Sequence, residues 1–408
     1  MMDVESSATA VLNTISERGE QEDGRVQADG FHEVHYAASG DAYQGEFRDG
    51  QYHGHGTHTA ADHAQYTGDW EQGLRHGHGI EIMANSDSYE GEYANDLWHG
   101  QGTFTSAQGS VYTGDWARGK RHGQGREILE DGSDYVGDYT EDVRCGEGSC
   151  SYPDGSRYSG EWAAGKRHGN GTRIYGDGSV YVGGWADGKK SGRGEYKCED
   201  GSEYVGEFLS GRYHGNGTLT GKTGRKYTGA WEDGQESGEG TCCFSNGVEY
   251  TGHWRRGKPD GEGRKTWPDG TLYSGSFRQN KRHGRGALTL PNGQRYTGQW
   301  DDGVKSGHGF EEWPNGGNYD GEYASDQRNG IGTCIYHDRR KYVGSWKDDR
   351  QHGHGVLTYP SGEKYEGDFE NGRRCGSGVV TYPDGTQHSA ASGETVEALA
   401  GDAGCVLQ

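Results

Sequence analysis

A tyrosine recurs every 23 residues along most of this chain, without one insertion or deletion. The series runs over Tyr43, Tyr66, Tyr89, Tyr112, Tyr135, Tyr158, Tyr181, Tyr204, Tyr227, Tyr250, Tyr273, Tyr296, Tyr319, Tyr342 and Tyr365. Compact enzymes tolerate loop insertions, whereas stacked repeats cannot change length without breaking the contacts between neighbours. We therefore expect fifteen copies of one structural unit, each packed on the next.

The repeats divide the chain of 408 residues into four segments. Residues 43–387 hold the repeats, and residues 31–42 are expected to add a capping strand before them. Residues 1–30 are acidic and are predicted to be mostly disordered. Residues 388–408 form a C-terminal tail, in which a short helix is predicted over Ser392–Ala400. Neither tail is expected to hold a second catalytic domain.

Each repeat alternates aromatic residues with glycine, as a half-buried β-strand requires. Counted from the tyrosine as position 1, it reads Tyr-x-Gly-x-aromatic-x-x-Gly-x-x-His-Gly-x-Gly, followed by a second extended stretch and a turn such as Pro153–Gly155. Positions 1, 3 and 5 share one face of a strand, and position 4, acidic in nine copies, lies on the other. The predicted fold is all-β, an elongated single-layer rod of antiparallel β-hairpins about 140 Å long.

The repeats also show which glycines are required. Position 8 is glycine in ten copies and only Asp or Asn in the others, as at Asp96 and Asn280, which predicts a positive φ there. Positions 3, 12 and 14 are always glycine. Because a left-handed backbone alone would admit Asn, lack of room for a Cβ is predicted at these three positions.

The repeat closely resembles the MORN repeat, the membrane occupation and recognition nexus. One clear copy reads Tyr112-Thr113-Gly114-Asp115-Trp116, followed by Gly119, His122, Gly123 and Gly125. The resemblance implies an extended, twisted β-sheet without catalytic activity. It also implies a scaffold at a membrane–cytoskeleton junction, frequently a homodimer. Chains made almost wholly of such repeats resemble the MORN proteins of protist cytoskeletons and the MORN subunits of ciliary radial spokes.

Composition excludes several classes of partner. A formal charge of −22 argues against nucleic acid, whose recognition needs a basic surface. The eight cysteines show no disulfide or metal spacing, which favours a reducing cytosol. Histidines at position 11 would be about 9.6 Å apart in successive repeats, too far to share a metal ion. No enzyme motif, metal site or cofactor is predicted.

Position 10 is the first candidate site, because it is basic in nine repeats. These residues are Arg75, Arg121, Arg144, Arg167, Lys190, Arg282, Lys305, Arg328 and Arg374. Stacked in register, they would form a positive stripe along one edge of the sheet, able to bind acidic phospholipids or an acidic partner. The alternative is local pairing with nearby Asp and Glu side chains.

Cys405 is the second candidate site. The sequence ends Cys405-Val406-Leu407-Gln408, which fits a farnesylation signal. One lipid chain anchors only marginally, so stable membrane attachment would also need dimerisation or the basic stripe.

Three functions remain open from the sequence. The leading hypothesis is a non-catalytic, elongated scaffold in the cytoplasm that organises a membrane–cytoskeleton junction through protein contacts, and through lipid contacts as well. The second is a module that binds phosphoinositides or other acidic lipids. The third is a structural subunit of the axoneme in a cilium or flagellum.

Overall fold

The computed structural model describes residues 28–390, which divide into two units, residues 28–199 and 200–390. The first 27 residues lie outside the described residues, as do the predicted helix over Ser392–Ala400 and the lipidation candidate Cys405. Within the described residues every regular element is a β-strand.

The first unit holds fifteen strands. They are β1 (Gly30–His35), β2 (Ala42–Arg48), β3 (Gln51–Thr59), β4 (Gln65–Glu71), β5 (Leu74–Ile82), β6 (Ser88–Ala94), β7 (Leu97–Thr105), β8 (Val111–Ala117), β9 (Lys120–Ile128), β10 (Asp134–Thr140), β11 (Val143–Ser151), β12 (Arg157–Ala163), β13 (Lys166–Ile174), β14 (Val180–Ala186) and β15 (Lys189–Lys197). Each pairs antiparallel with the next along the chain, and β1 lies before the first repeat against β2.

The second unit holds seventeen strands with the same order of pairing. They are β16 (Glu203–Leu209), β17 (Arg212–Thr220), β18 (Lys226–Glu232), β19 (Gln235–Cys243), β20 (Glu249–Arg255), β21 (Lys258–Thr266), β22 (Leu272–Arg278), β23 (Lys281–Thr289), β24 (Arg295–Asp301), β25 (Val304–Glu312), β26 (Asn318–Ala324), β27 (Gln327–Ile335), β28 (Lys341–Lys347), β29 (Arg350–Thr358), β30 (Lys364–Glu370), β31 (Arg373–Thr381) and β32 (Gln387–Ala390). Neighbours along the chain are neighbours in the sheet. The predicted fold class, all-β and built from one antiparallel hairpin per repeat, is confirmed.

Two kinds of turn join these strands. Within a repeat, positions 7 and 8 both have positive φ, as at Arg118 (φ 53°) and Gly119 (φ 78°). Two left-handed residues in a two-residue loop make the type I′ turn that suits hairpins. Between repeats, Pro-Asp-Gly segments bend as expected, with the amide of Gly155 donating to the carbonyl of Tyr152 at 3.0 Å. The positive φ predicted at position 8 is present in all fifteen repeats.

Each within-repeat hairpin contains a β-bulge after position 3. In the first repeat Gly45 lies opposite Gly56, but the next residue, Glu46, lies opposite His53. Gly54 and His55 are therefore extra residues on β3. This bulge leaves position 10 directly opposite position 5 and places it on the tyrosine face.

The invariant glycines have two different explanations. A Cβ on Gly45 would stand 2.5 Å from the Cα of Gly56, and one on Gly171 would stand 2.6 Å from two ring atoms of Tyr158. Lack of room therefore explains positions 3 and 14. Position 12 combines both explanations, because it has positive φ in every repeat and a Cβ there would meet the position 4 side chain in most of them, as one on Gly77 would meet Asp69 at 2.6 Å. The bulge requires a left-handed residue there.

The core of each unit is a ladder of aromatic rings rather than an aliphatic interior. Every position 1 tyrosine lies flat over the glycine row and is buried. Its ring meets the position 5 ring of its own repeat and that of the next repeat edge-on, as Tyr66 does with Trp70 at 5.0 Å and with Tyr93 at 5.0 Å. Edge-to-face pairs at this spacing are favourable beyond the area they bury.

Hydrogen bonds hold the position 1 tyrosine and the position 5 tryptophan of a repeat in place. The tyrosine hydroxyl donates to the position 4 carbonyl of its own repeat, as from Tyr158 to Glu161 at 2.9 Å. Where position 5 is tryptophan, its indole N–H donates to the position 14 carbonyl of the preceding repeat, as from Trp162 to Gly148 at 3.1 Å. The second bond crosses from one repeat to the next, so a tryptophan ties neighbouring repeats together.

A candidate binding face

Above the ladder, the side chains at positions 10, 16 and 18 cover the tyrosine side of each sheet. We call this surface the aromatic face. Position 10 stacks on the tyrosine below it, and flat groups of several kinds take this place. Tyr52 lies parallel to Tyr43 at 3.7 Å, and the guanidinium of Arg374 lies 4.2 Å above the ring of Tyr365. Position 10 is therefore part of the packing as well as part of the surface.

The nine basic residues at position 10 lie on this face, buried or half-buried. Arg75, Arg121, Arg144, Lys305 and Arg328 form ion pairs with carboxylates of their own or a neighbouring repeat. Arg167 and Arg282 donate to the carbonyls of Gly188 and Gly303 at 2.9 and 2.8 Å. Lys190 lies 3.5 Å over the ring of Tyr196, and Arg374 donates to the hydroxyl of Tyr359. Of the two interpretations from the sequence, local pairing describes five of the nine. Lipid binding stays a prediction.

Position 16 supplies carboxylates that the sequence interpretation overlooked. Glu127 receives Arg121 on one oxygen, and on the other Arg144 at 2.6 Å and the hydroxyl of Tyr139 at 2.9 Å. Burial opposes ionisation of Glu127, but these donors outweigh it and hold the pKa of the carboxyl below its ordinary value. Glu81 and Glu311 hold Arg75 and Lys305 in the same way.

The sequence does contain a signal for these carboxylates. Position 16 lies directly opposite the tyrosine in the hairpin, as Glu127 lies opposite Tyr112. A charged residue opposite a buried ring needs a partner on the same face.

A pocket on this face lies between the third and fourth repeats. Its volume is about 260 Å³, and its lining includes Trp98, Phe104, Trp116, Arg121 and Glu127. Aromatic side chains and the ion pair of Arg121 with Glu127 line a site that could hold a side chain of a partner.

The opposite face of the sheets has a different role for position 4. The carboxylate of Asp115 accepts the amide of Gln124, one of the two extra residues of the bulge, at 2.8 Å, and Glu161 accepts the amide of Asn170 at 2.7 Å. The acid therefore satisfies a backbone donor that the bulge leaves without a partner in the strand pairing. Position 4 was expected only to face water.

The described residues offer no cluster of three His, Cys, Asp or Glu side chains able to hold a metal ion. Nor does any helix within residues 28–390 have the length and apolarity needed to cross a bilayer.

Comparison with known proteins identifies the repeat. The family model for the MORN repeat matches residues 43–65, 66–88, 89–111, 112–134, 135–157, 158–180, 181–203, 204–224, 227–249, 250–272, 273–295, 296–318, 319–339, 342–364 and 365–387. No curated protein sequence matches the chain.

Solved structures give only weak likenesses. The TCP10 domain of Danio rerio CPAP in complex with a STIL peptide is 15% identical, covers 65% of this chain and 98% of its own, and has a TM-score of 0.26. The TCP domain of Drosophila melanogaster SAS-4 in complex with a proline-rich motif of Ana2 is 11% identical, with coverage of 43% and 90% and a TM-score of 0.26. A streptogramin B lyase is 11% identical, with coverage of 76% and 88% and a TM-score of 0.12. Scores this low support no inference about this chain.

Proposed function

Because this chain belongs to the MORN-repeat family, with fifteen consecutive repeats over residues 43–387, we propose that it is a non-catalytic scaffold that binds partner proteins along its aromatic face. One observation carries the proposal. Positions 1, 3 and 14 hold the same residue in every repeat and position 5 is always aromatic, whereas positions 10 and 16, which cover the ladder, differ from copy to copy. A constant frame with a variable surface presents different chemistry at regular intervals.

The chemistry of the variable positions suits protein partners. Position 10 carries Arg, Lys, Tyr, Trp, Glu, Gln and Pro in different repeats. Aromatic and arginine side chains are the residues most enriched at the energetic centres of protein interfaces. Trp98 at position 10 and Tyr359 at position 18 are half-buried aromatic residues of this face, one in each unit.

Site-specific photo-crosslinking tests the proposal. A photoreactive phenylalanine analogue replaces Trp98 or Tyr359 on the aromatic face of the full chain, expressed in cells. The matched controls replace Val182 and Val343, position 2 residues on the opposite face that are 49% and 41% exposed. Crosslinks to other proteins are expected from the aromatic face and not from the controls. Equal crosslinking from both faces, or crosslinks from the control positions alone, would contradict the proposal.

The finer expectations belong to the same proposal and need their own tests. Partners at a membrane–cytoskeleton junction, homodimerisation and a place in an axoneme follow from the resemblance alone. The rival lipid-binding function predicts that charge reversal at Arg121, Arg167 and Arg282 abolishes salt-sensitive flotation of the protein with phosphoinositide vesicles. A result of that kind would favour the lipid module over the protein scaffold.

A further inference from the structure

The residue at position 16 sets the local charge of the aromatic face. In the fourth repeat Glu127 lies between the position 10 residues of its own and the following repeat, Arg121 and Arg144. The order along the face is cation, anion, cation. Both guanidiniums share one half-buried carboxylate, so this part of the face has its charges matched.

The sixth repeat replaces the anion by a third cation. Arg173 has the position of Glu127, between Arg167 of the same repeat and Lys190 of the next. Its guanidinium lies 4.7 Å from the centre of the Tyr175 ring and 5.5 Å from that of Tyr152. All three cations are half-buried. We call Arg167, Arg173 and Lys190 the cationic triad.

Neither arginine of the triad forms an ion pair with a carboxylate within the described part of the chain. Arg167 donates to the carbonyl of Gly188 at 2.9 Å, and Arg173 donates to the Ser156 hydroxyl at 3.4 Å. The Nε atom of Arg173 is buried without a hydrogen-bond partner. Buried donors are normally satisfied, and each one left unmade costs about 1–3 kcal/mol.

The titration of the neighbouring groups agrees with this excess of positive charge. Burial, opposed in part by Cys198 and aided by the charge of Arg173, lowers the pKa of Lys190 to about 8. Burial and Arg173 also hold the pKa of Arg167 below its ordinary value. A carboxylate placed among the three would remove this unfavourable interaction.

We propose that the cationic triad binds the carboxylates of an acidic, extended segment of a partner protein. This inference rests on the proposed scaffold function and names the chemistry of one of its partners. The chain itself shows which anion the place accepts, because Glu127 occupies the equivalent position in the fourth repeat. Tyr152, Tyr175 and Tyr196 surround the triad and offer ring surface to the apolar parts of a peptide.

A protein segment suits this site better than a bilayer does. The cations are half-buried among tyrosine rings. A single acidic side chain can enter between these rings, whereas the flat surface of a bilayer cannot.

Binding of a labelled glutamate decapeptide to the full chain tests the proposal by fluorescence anisotropy. The decisive variant is Arg173→Glu, which restores the cation, anion, cation order of the fourth repeat and is expected to fold. The matched control is Arg157→Glu, which makes the same charge change at an exposed position on the opposite face. We expect salt-sensitive binding that Arg173→Glu weakens at least about tenfold and that Arg157→Glu leaves unchanged.

The rate of acetylation of Lys190 gives a second test of the triad. Because the pKa of Lys190 is about 8, its amine should acetylate faster at pH 8 than exposed lysines such as Lys166. The decapeptide is expected to protect Lys190, whereas a glutamine decapeptide is not.

Three outcomes would overturn the inference. The first is wild-type binding by Arg173→Glu, and the second is absence of both binding and protection of Lys190. The third is selective binding of vesicles that contain phosphatidylserine, with no binding of the peptide, which would assign the triad to a membrane. Crosslinks from Trp98 and Tyr359 would still support the scaffold in the first two cases, so failure of the triad and failure of the scaffold are distinguishable.

Discussion

At the scale of single residues, the glycines show how one residue type serves unlike purposes. Position 14 is glycine because a tyrosine ring lies on it, and position 8 is glycine because the turn needs a left-handed backbone. Only the second requirement can be met by another residue, as Asn280 shows with φ 68°. The sequence separated these two cases correctly, because Asp and Asn replace glycine at position 8 alone.

Substitution of Gly171 and Gly165 compares the two requirements within one repeat. Gly171→Ala forces a methyl group against the ring of Tyr158 and should cost about 1–3 kcal/mol of unfolding free energy. Gly165→Asn places at φ 75° a residue that tolerates it, in a space where a Cβ meets nothing, and should cost less than about 0.5 kcal/mol. Urea denaturation measures both. Equal losses of unfolding free energy in the two variants would contradict the claim that position 14 lacks room for a Cβ whereas position 8 needs only a left-handed backbone.

At the scale of the strand and hairpin, the β-bulge is the feature with the widest consequences. It turns position 10 onto the tyrosine face, and its extra amide is satisfied by the acid at position 4. The alternation of residues predicted the strands, but it did not predict the bulge. The three residues around position 12, such as His122-Gly123-Gln124, show no break in the alternation of residue types that would reveal the extra residues of the bulge.

The cap on the bulge can be tested at Asp115. Asp115→Ala removes the acceptor for the amide of Gln124 and should cost about 0.5–1.5 kcal/mol locally. Asp115→Asn keeps a side-chain oxygen and should retain most of the stability. Hydrogen exchange at Gln124 is expected to accelerate in the first variant only. Unchanged exchange in Asp115→Ala would show that water replaces the carboxylate without loss.

At the scale of the whole molecule, the repeat is the unit in which the chain can be lengthened or shortened. Each hairpin contacts its neighbours through antiparallel strand pairing and through one tyrosine, one position 5 ring and, where present, one indole hydrogen bond. Stability is therefore expected to be a sum over repeats and the interfaces between them.

Deletion of residues 250–272 removes one whole repeat and should leave a folded protein. Tyr227 would then meet Phe277 in place of Trp254, and both are position 5 rings. Deletion of residues 250–261 removes all but the first residue of β20, its turn and the first four residues of β21, and should cost about 3–5 kcal/mol because the ladder loses both its rings there. Urea denaturation followed by tryptophan fluorescence compares the two. A comparable loss from the full-repeat deletion would contradict additive stacking.

The repeat length, the two strands per repeat, their turns and the buried tyrosine face follow from the amino-acid sequence without the fold. These features depend on residues close together in the chain, whose spacing fixes which side of a strand each occupies. The family follows from the sequence as well, since the same motif recurs throughout residues 43–387.

The partners of the charged residues become clear only from the folded sheet. The partner of Arg144 is Glu127, 17 residues earlier in the preceding repeat, and the neighbours of Arg167 are Arg173 and Lys190. These contacts cross strands in a register that depends on the bulge. Nine similar cations in the sequence therefore become sites of several kinds in the fold, because the residue at position 16 is acidic beside some of them and apolar or basic beside others.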